Sequence, residues 1–163
     1  MEILDLKRAY EDVYLADPMD DPETPHWRVD FSDKAIDGYL ANVSDAIDRA
    51  QSLTKAMDAA EDEEGLASAT QSLAKLEKRV IVTFIGAEGY EELLTWMGGG
   101  ERIEPTEYTS QLGEVFAAFM SMLGRYATNE KLRDCGLLYA EQGKKTKAFL
   151  QAARKGGKGK KRK

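Results

Sequence analysis

Gly65-Leu-Ala-Ser-Ala-Thr-Gln-Ser-Leu-Ala-Lys-Leu-Glu-Lys-Arg-Val-Ile-Val-Thr-Phe-Ile85 sets Leu66, Ala69, Leu73, Leu76, Val80 and Phe84 at steps of three and four residues. That spacing lines one side of an α-helix. Toward Ile85 the apolar positions become continuous, so this end of the helix is expected to be surrounded by protein. Upstream, Ile36, Leu40, Val43, Ile47, Ala50, Thr54 and Met57 repeat the same spacing. They predict a helix from Ser32, a capping residue, to about Ala60, with Asp33 favourable in its first turn. The run Glu61-Asp-Glu-Glu-Gly65 interrupts the pattern. A connection this short predicts an antiparallel helix pair.

Beyond this pair, Gly86-Ala-Glu-Gly89 reads as a turn and Tyr90-Glu-Glu-Leu-Leu-Thr-Trp-Met97 as a short amphipathic helix. Gly98-Gly-Gly100 ends that helix and is expected to be mobile. After Pro105 a further helix is predicted over roughly 106–127, with Leu112, Val115, Phe116, Phe119, Met120, Leu123 and Tyr126 in its stripe. The segment 129–153 has helical composition, but Gly136 and Gly143 weaken it. At the other end, Trp27-Arg-Val-Asp-Phe31 alternates with the period of a strand. Glu2 to Leu6 and Asp12 to Leu15 do so in part, and Asp17-Pro-Met-Asp-Asp-Pro-Glu-Thr-Pro25 is a proline-broken loop. A hairpin or small three-stranded sheet is expected, with Tyr10 to Leu15 open to a helical alternative.

The expected fold is therefore mainly α: a small bundle of four to five helices with a short N-terminal β-hairpin or small sheet. One domain spans 1–153, divided into a β/loop element (1–31), a helical core (32–127) and a peripheral helix (128–153). A disordered basic tail follows at 154–163.

The 163 residues are 42% hydrophobic and 32% charged, which excludes collagen-like and wholly disordered chains. The longest apolar run, Val80 to Ile85, is far short of a membrane span. Met1-Glu-Ile-Leu-Asp5 has no secretory pattern. These features predict a soluble cytoplasmic protein that is not secreted and meets no membrane. The net charge of -6 hides an asymmetry: residues 1–130 carry 11 Lys/Arg against 27 Asp/Glu, and 131–163 carry 12 against 2. Arg154, Lys155, Lys158, Lys160, Lys161, Arg162 and Lys163 form an electrostatic tail with no apolar side chain to offset the cost of ordering it. Nucleic acid, an acidic protein or the protein's own acidic body would suit it, as would a purely solubilising role. Contact with nucleic acid would be weak, phosphate-only and confined to 154–163, because no aromatic is interleaved and the body would repel phosphate.

Chemistry-bearing motifs are scarce. His26 and Cys135 are the only residues of their types, so histidine clusters, all-cysteine zinc sites and internal disulfides are excluded. The carboxylates Asp17, Asp20, Asp21 and Glu23 do not make a calcium loop, since Met19 stands where a ligand belongs and the required glycine is missing. The glycine-rich pieces at 98–102 and 156–160 lack phosphate-loop spacing. No catalytic, cofactor or metal residue is assigned, and the protein is expected not to be an enzyme. Tyr90, Leu93, Leu94, Trp96 and Met97 are the candidate partner-binding residues, being of the types enriched at interface centres and flanked by glycines. The alternative is that this face packs on the helical core.

The order of these pieces resembles the tail assembly chaperones of long-tailed, siphovirus-like phages. The likeness lies in Leu76-Glu-Lys-Arg-Val-Ile-Val-Thr-Phe-Ile85, Gly86-Ala-Glu-Gly89, Tyr90-Glu-Glu-Leu-Leu-Thr-Trp-Met97, a polar gap and Val115-Phe-Ala-Ala-Phe-Met-Ser-Met-Leu123, within about 30–127. Trp96 and the triple glycine depart from the Phe-Gly-like pair that relatives often carry there. The resemblance implies a non-enzymatic protein of the host cytoplasm that keeps the tape-measure protein soluble and helps recruit tail tube subunits. Some family members also occur in a longer, frameshifted form. Self-association is compatible with this reading. The rivals are a structural virion protein of the neck or tail-completion kind, and a small nucleic-acid-associated protein acting through its basic tail.

Overall fold

The computed structural model describes residues 1–4, 6 and 8–135. Strands β1 (Tyr10–Tyr14) and β2 (His26–Asp30) pair antiparallel, with Tyr10 opposite Asp30 and Tyr14 opposite His26. Alternation sends Val29 fully inward, while Arg28 reaches across the outer face. Its Nε and Nη2 donate to the two carboxylate oxygens of Asp12 at 2.9 and 3.2 Å, and its guanidinium lies 3.8 Å from the centroid of the Tyr10 ring. Asp17 and Asp21 shape the loop between the strands by accepting the backbone N–H of Met19 and Glu23. Among the described residues the sheet has these two strands. Residues 2–4 and 6 are in no strand and Ile3, Leu4 and Leu6 stand exposed, while Tyr10 to Tyr14 is strand rather than helix.

The helix expected over 33–60 is two. Helix α1 (Asp33–Val43) is capped by Ser32, whose Oγ accepts the Ala35 N–H at 3.3 Å, and α2 (Ala46–Ala59) follows. The break falls at Ser44-Asp45, residue types whose side chains compete for backbone groups and favour helix ends. Asp45 is also drawn outward, accepting from Arg79 at 2.9 Å. The apolar stripe survives the break: Ile36, Leu40 and Val43 hand over to Ala46, Ile47 and Ala50, all buried.

Helix α3 (Glu63–Met97) begins at Asp62, whose carboxylate accepts the Gly65 N–H at 2.7 Å. It is interrupted at Gly86, where φ 80° and ψ 170° lie in a region that only glycine occupies cheaply. Two arms result, 63–85 and 87–97, and they fold against each other: Ala74 and Lys78 of the first line one pocket with Tyr90 of the second. Gly89, expected in the turn, is instead helical and buried. A Cβ at Gly89 would sit 3.0 Å from Trp27 Nε1 and from Ile85 Cβ, tighter than ordinary van der Waals contact, so the helix packs closely on the hairpin there. The glycines after Met97 form a hydrogen-bonded turn, in which Gly98 donates to Leu94 and Gly100 to Thr95, and Ile103 N–H comes back to Leu94 at 3.3 Å.

A 3-10 turn (Pro105–Glu107), helix α4 (Thr109–Tyr126) and a short helix α5 (Asn129–Asp134) complete the described chain. Leu112, Phe116, Phe119, Met120 and Leu123 of α4 are buried, and Phe119 stacks on Phe84 with centroids 4.9 Å apart. Tyr126 stacks on Phe31 at 4.1 Å and donates its hydroxyl to Glu11, which pins the hairpin to the end of α4. The fold is thus mainly helical with an antiparallel N-terminal hairpin. No helix among the described residues is long and apolar enough to cross a membrane. The expected continuation of the last helix to 153, with Gly136 and Gly143, lies outside the described residues. So do the tail residues Arg154, Lys155, Lys158, Lys160, Lys161, Arg162 and Lys163.

Candidate functional site

Of the five candidate partner-binding residues, three point inward. Tyr90 and Leu93 are 1% exposed and Leu94 is fully buried, while Met97 is half-buried against the core. In this conformation only Trp96, at 39% exposure, is presented to a partner. This burial has a simple cause. Folding back at Gly86 brings residues 87–97 down on the 63–85 arm, so the apolar side of the short helix becomes core. The same residue types serve interfaces and interiors, and spacing alone does not separate them.

A different apolar surface lies open beside this arm. Trp27 of the hairpin, Ile85 and Leu93 of α3, and Val115, Phe119 and Met122 of α4 line a groove of about 260 Å³. Val13, Tyr14 and Leu15 extend it along β1, and Glu114 is the one charged residue in its wall. The groove exists because α4 buries one stripe and leaves Val115 and Ala118 beside it, while the hairpin covers only part of that flank. Val115 and Phe119 belong to the apolar stripe that the sequence predicts for this helix. Nothing in the alternation of Trp27 to Phe31 points to a binding role for Trp27.

Behind the 87–97 arm sits an unexpected polar group. Glu77 lies on the inward side of the 63–85 arm and is fully buried. Among the described residues neither of its carboxylate oxygens has a hydrogen-bond partner, nor does the Tyr90 hydroxyl. Burial pushes the Glu77 carboxyl up to about 9 and, with the nearby Glu77 charge adding to it, the Tyr90 phenol up to about 12. Glu77 is therefore neutral at physiological pH. The signal was present in the sequence. Glu77 falls four residues after Leu73 and four before Ile81, inside the apolar stripe.

The remaining candidates keep ordinary surroundings. His26 stacks on Tyr14 with centroids 5.0 Å apart, and the Thr24 carbonyl lies 3.4 Å from its Nδ1. Cys135 packs at the edge of the core. No group of His, Cys, Asp and Glu suited to a metal occurs among the described residues. A second pocket, about 290 Å³, is lined by Lys75, Lys78, Arg102 and Glu104, and Arg102 is already engaged by Glu91 at 2.6 Å. No family model matches the chain, and no curated protein or solved structure matches it either.

Proposed function

We propose that the protein is a tail assembly chaperone of a long-tailed phage, acting in the host cytoplasm without catalysis. The observation that carries this reading is the open apolar groove between hairpin and α4, set in a body with a large excess of acidic residues. A chaperone of this kind needs a soluble, self-repelling body and an apolar face for a helical client. Trp27, Ile85, Val115 and Ala118 supply that face, and the client is the tape-measure protein, with tail tube subunits recruited later. The order of helices, glycines and apolar runs over 30–127 supports the same assignment.

The test is co-expression with the long tape-measure protein of the same genome. The chaperone reading expects the tape-measure protein to move from the pellet to the soluble fraction and to co-purify with this chain. Finding the protein as a stoichiometric part of purified particles would instead make it a structural virion subunit.

A further inference from the structure

We infer that residues 87–97 form a hinged cover, and that its opening, which rests on the chaperone reading only for its biological use, admits an apolar helical segment carrying a lysine or arginine that pairs with Glu77. Three observations converge on this. The arm is joined to the rest of α3 through Gly86, whose φ of 80° breaks the helix at one residue. Its far end is the turn of Gly98, Gly99 and Gly100, with φ of 68° and 119° at the last two. Between these ends, the face it covers contains Glu77, a fully buried carboxyl with no hydrogen-bond partner among the described residues.

An interior acid without a partner costs stability in the closed state and none in an open one, where water solvates it. The cost is concentrated at the contact between the two arms, because the group facing Glu77 from the cover is Tyr90, whose hydroxyl is equally unsatisfied. Among the described residues no charged group hydrogen-bonds to it. Lys75, Lys78 and Arg79 on its own arm are exposed, as are Asp45, Asp48 and Arg49 near α2 and Glu114 and Arg125 on α4. Arg102 and Glu104, on the return from the glycine turn, act on Tyr90, and burial alone raises Glu77. Opening would therefore be a local event with a lower cost than global unfolding.

The same movement enlarges the groove, since Leu93 of the cover is one of its walls. It would uncover Tyr90, Leu93 and Leu94 together with an acid that ionises on exposure. A segment that fills this space must be apolar, and a basic side chain on it would pair with the carboxylate that exposure leaves at Glu77.

Native-state hydrogen exchange on the full chain tests the hinge. At pH 7, amides of 87–97 are expected to exchange at least about tenfold faster than those of α4, through an opening that changes little with denaturant. Glu77→Leu should slow that exchange by more than about tenfold, because it removes the reason to open. Glu77→Gln serves as a second variant if the leucine protein does not fold. Exchange of 87–97 merging with α4 at every denaturant concentration overturns the hinge, and so does an opening that ignores both substitutions. For the occupant, two synthetic amphipathic helices are compared by calorimetry, identical except for one Lys or Gln within the apolar face. The lysine peptide should bind Glu77→Gln protein at least about tenfold more weakly than the natural chain. Equal binding to both overturns the basic partner. Failure of the chaperone reading shows elsewhere, as a tape-measure protein that stays insoluble while these results stand.

Discussion

Lys78 Nζ lies 5.7 Å from the centroid of the Tyr90 ring. In an unbroken helix the twelve-residue separation of Lys78 and Tyr90 would place their backbones ~18 Å apart. The contact is made because Gly86 reverses the chain, and that reversal decides which apolar residues are core and which line a groove.

Replacing Gly86 should therefore be disproportionately harmful. At φ 80° and ψ 170° a Cβ is strained even though nothing lies within 4 Å of it. Gly86→Ala is expected to cost ~1–3 kcal/mol in urea denaturation. Gly38→Ala, inside α1 with equal space, should instead stabilise by ~0.5–1 kcal/mol. Equal effects at the two positions would contradict the hinge geometry.

Glu77 should make stability fall with rising pH. Its folded value of about 9 lies above the ordinary 4.5. Between these values the folded protein holds a proton that the unfolded chain has released. The contribution is fully present below pH 4.5 and is lost progressively up to pH 9, with a limiting slope of ~1.4 kcal/mol per pH unit. Glu77→Leu should remove this slope and raise stability at pH 7 by on the order of 3 kcal/mol. Denaturation midpoints at several pH values, read for both proteins, check the sign and the size. A natural chain whose stability does not change over this range would show that Glu77 is solvated.

Much of this architecture was legible in the residues. The stripe from Leu66 to Phe84, the cap at Ser32 and the strict alternation of Trp27 to Phe31 each fix a local structure, and each is found. Ser44-Asp45 also carried a legible break, hidden because the stripe of Ile36 to Met57 runs through it without a phase error large enough to notice. What spacing could not decide was the partner of each apolar face. Leu93 and Trp96 share a helix face in sequence, yet Leu93 is 1% exposed and Trp96 39%. The difference comes from a tertiary event, the folding back at Gly86. The groove was hidden for the same reason, being built from β2, both arms of α3 and α4 at once.

Trp96 and Leu94 should separate surface from core. Leu94→Ala removes a fully buried side chain and is expected to cost ~2–5 kcal/mol. Trp96→Ala, at a partly exposed position, should cost only about 1 kcal/mol and leave the fold intact. Thermal melts distinguish the two. A loss at Trp96 as large as at Leu94 would return that indole to the core.

Ala118 offers the sharpest test of the groove as the proposed client site. It is exposed on α4, lines the groove beside Val115 and Met122, and makes no contribution to the buried stripe. Ala118→Arg would project a long cationic side chain across an apolar trough and block it. Because the change lies on a solvent-facing helical position and arginine is a good helix former, stability should stay within ~0.5 kcal/mol. Co-expression with the tape-measure protein should then yield a folded variant and an insoluble client. Ser121→Arg, exposed on the same helix but outside the groove, is the control that carries the same charge and should leave the client soluble. If Ala118→Arg still keeps the client in solution, the groove is not the docking face. The exposed side of the 87–97 arm, centred on Trp96, then becomes the surface to disrupt, and Trp96→Ala should be the variant that releases the tape-measure protein.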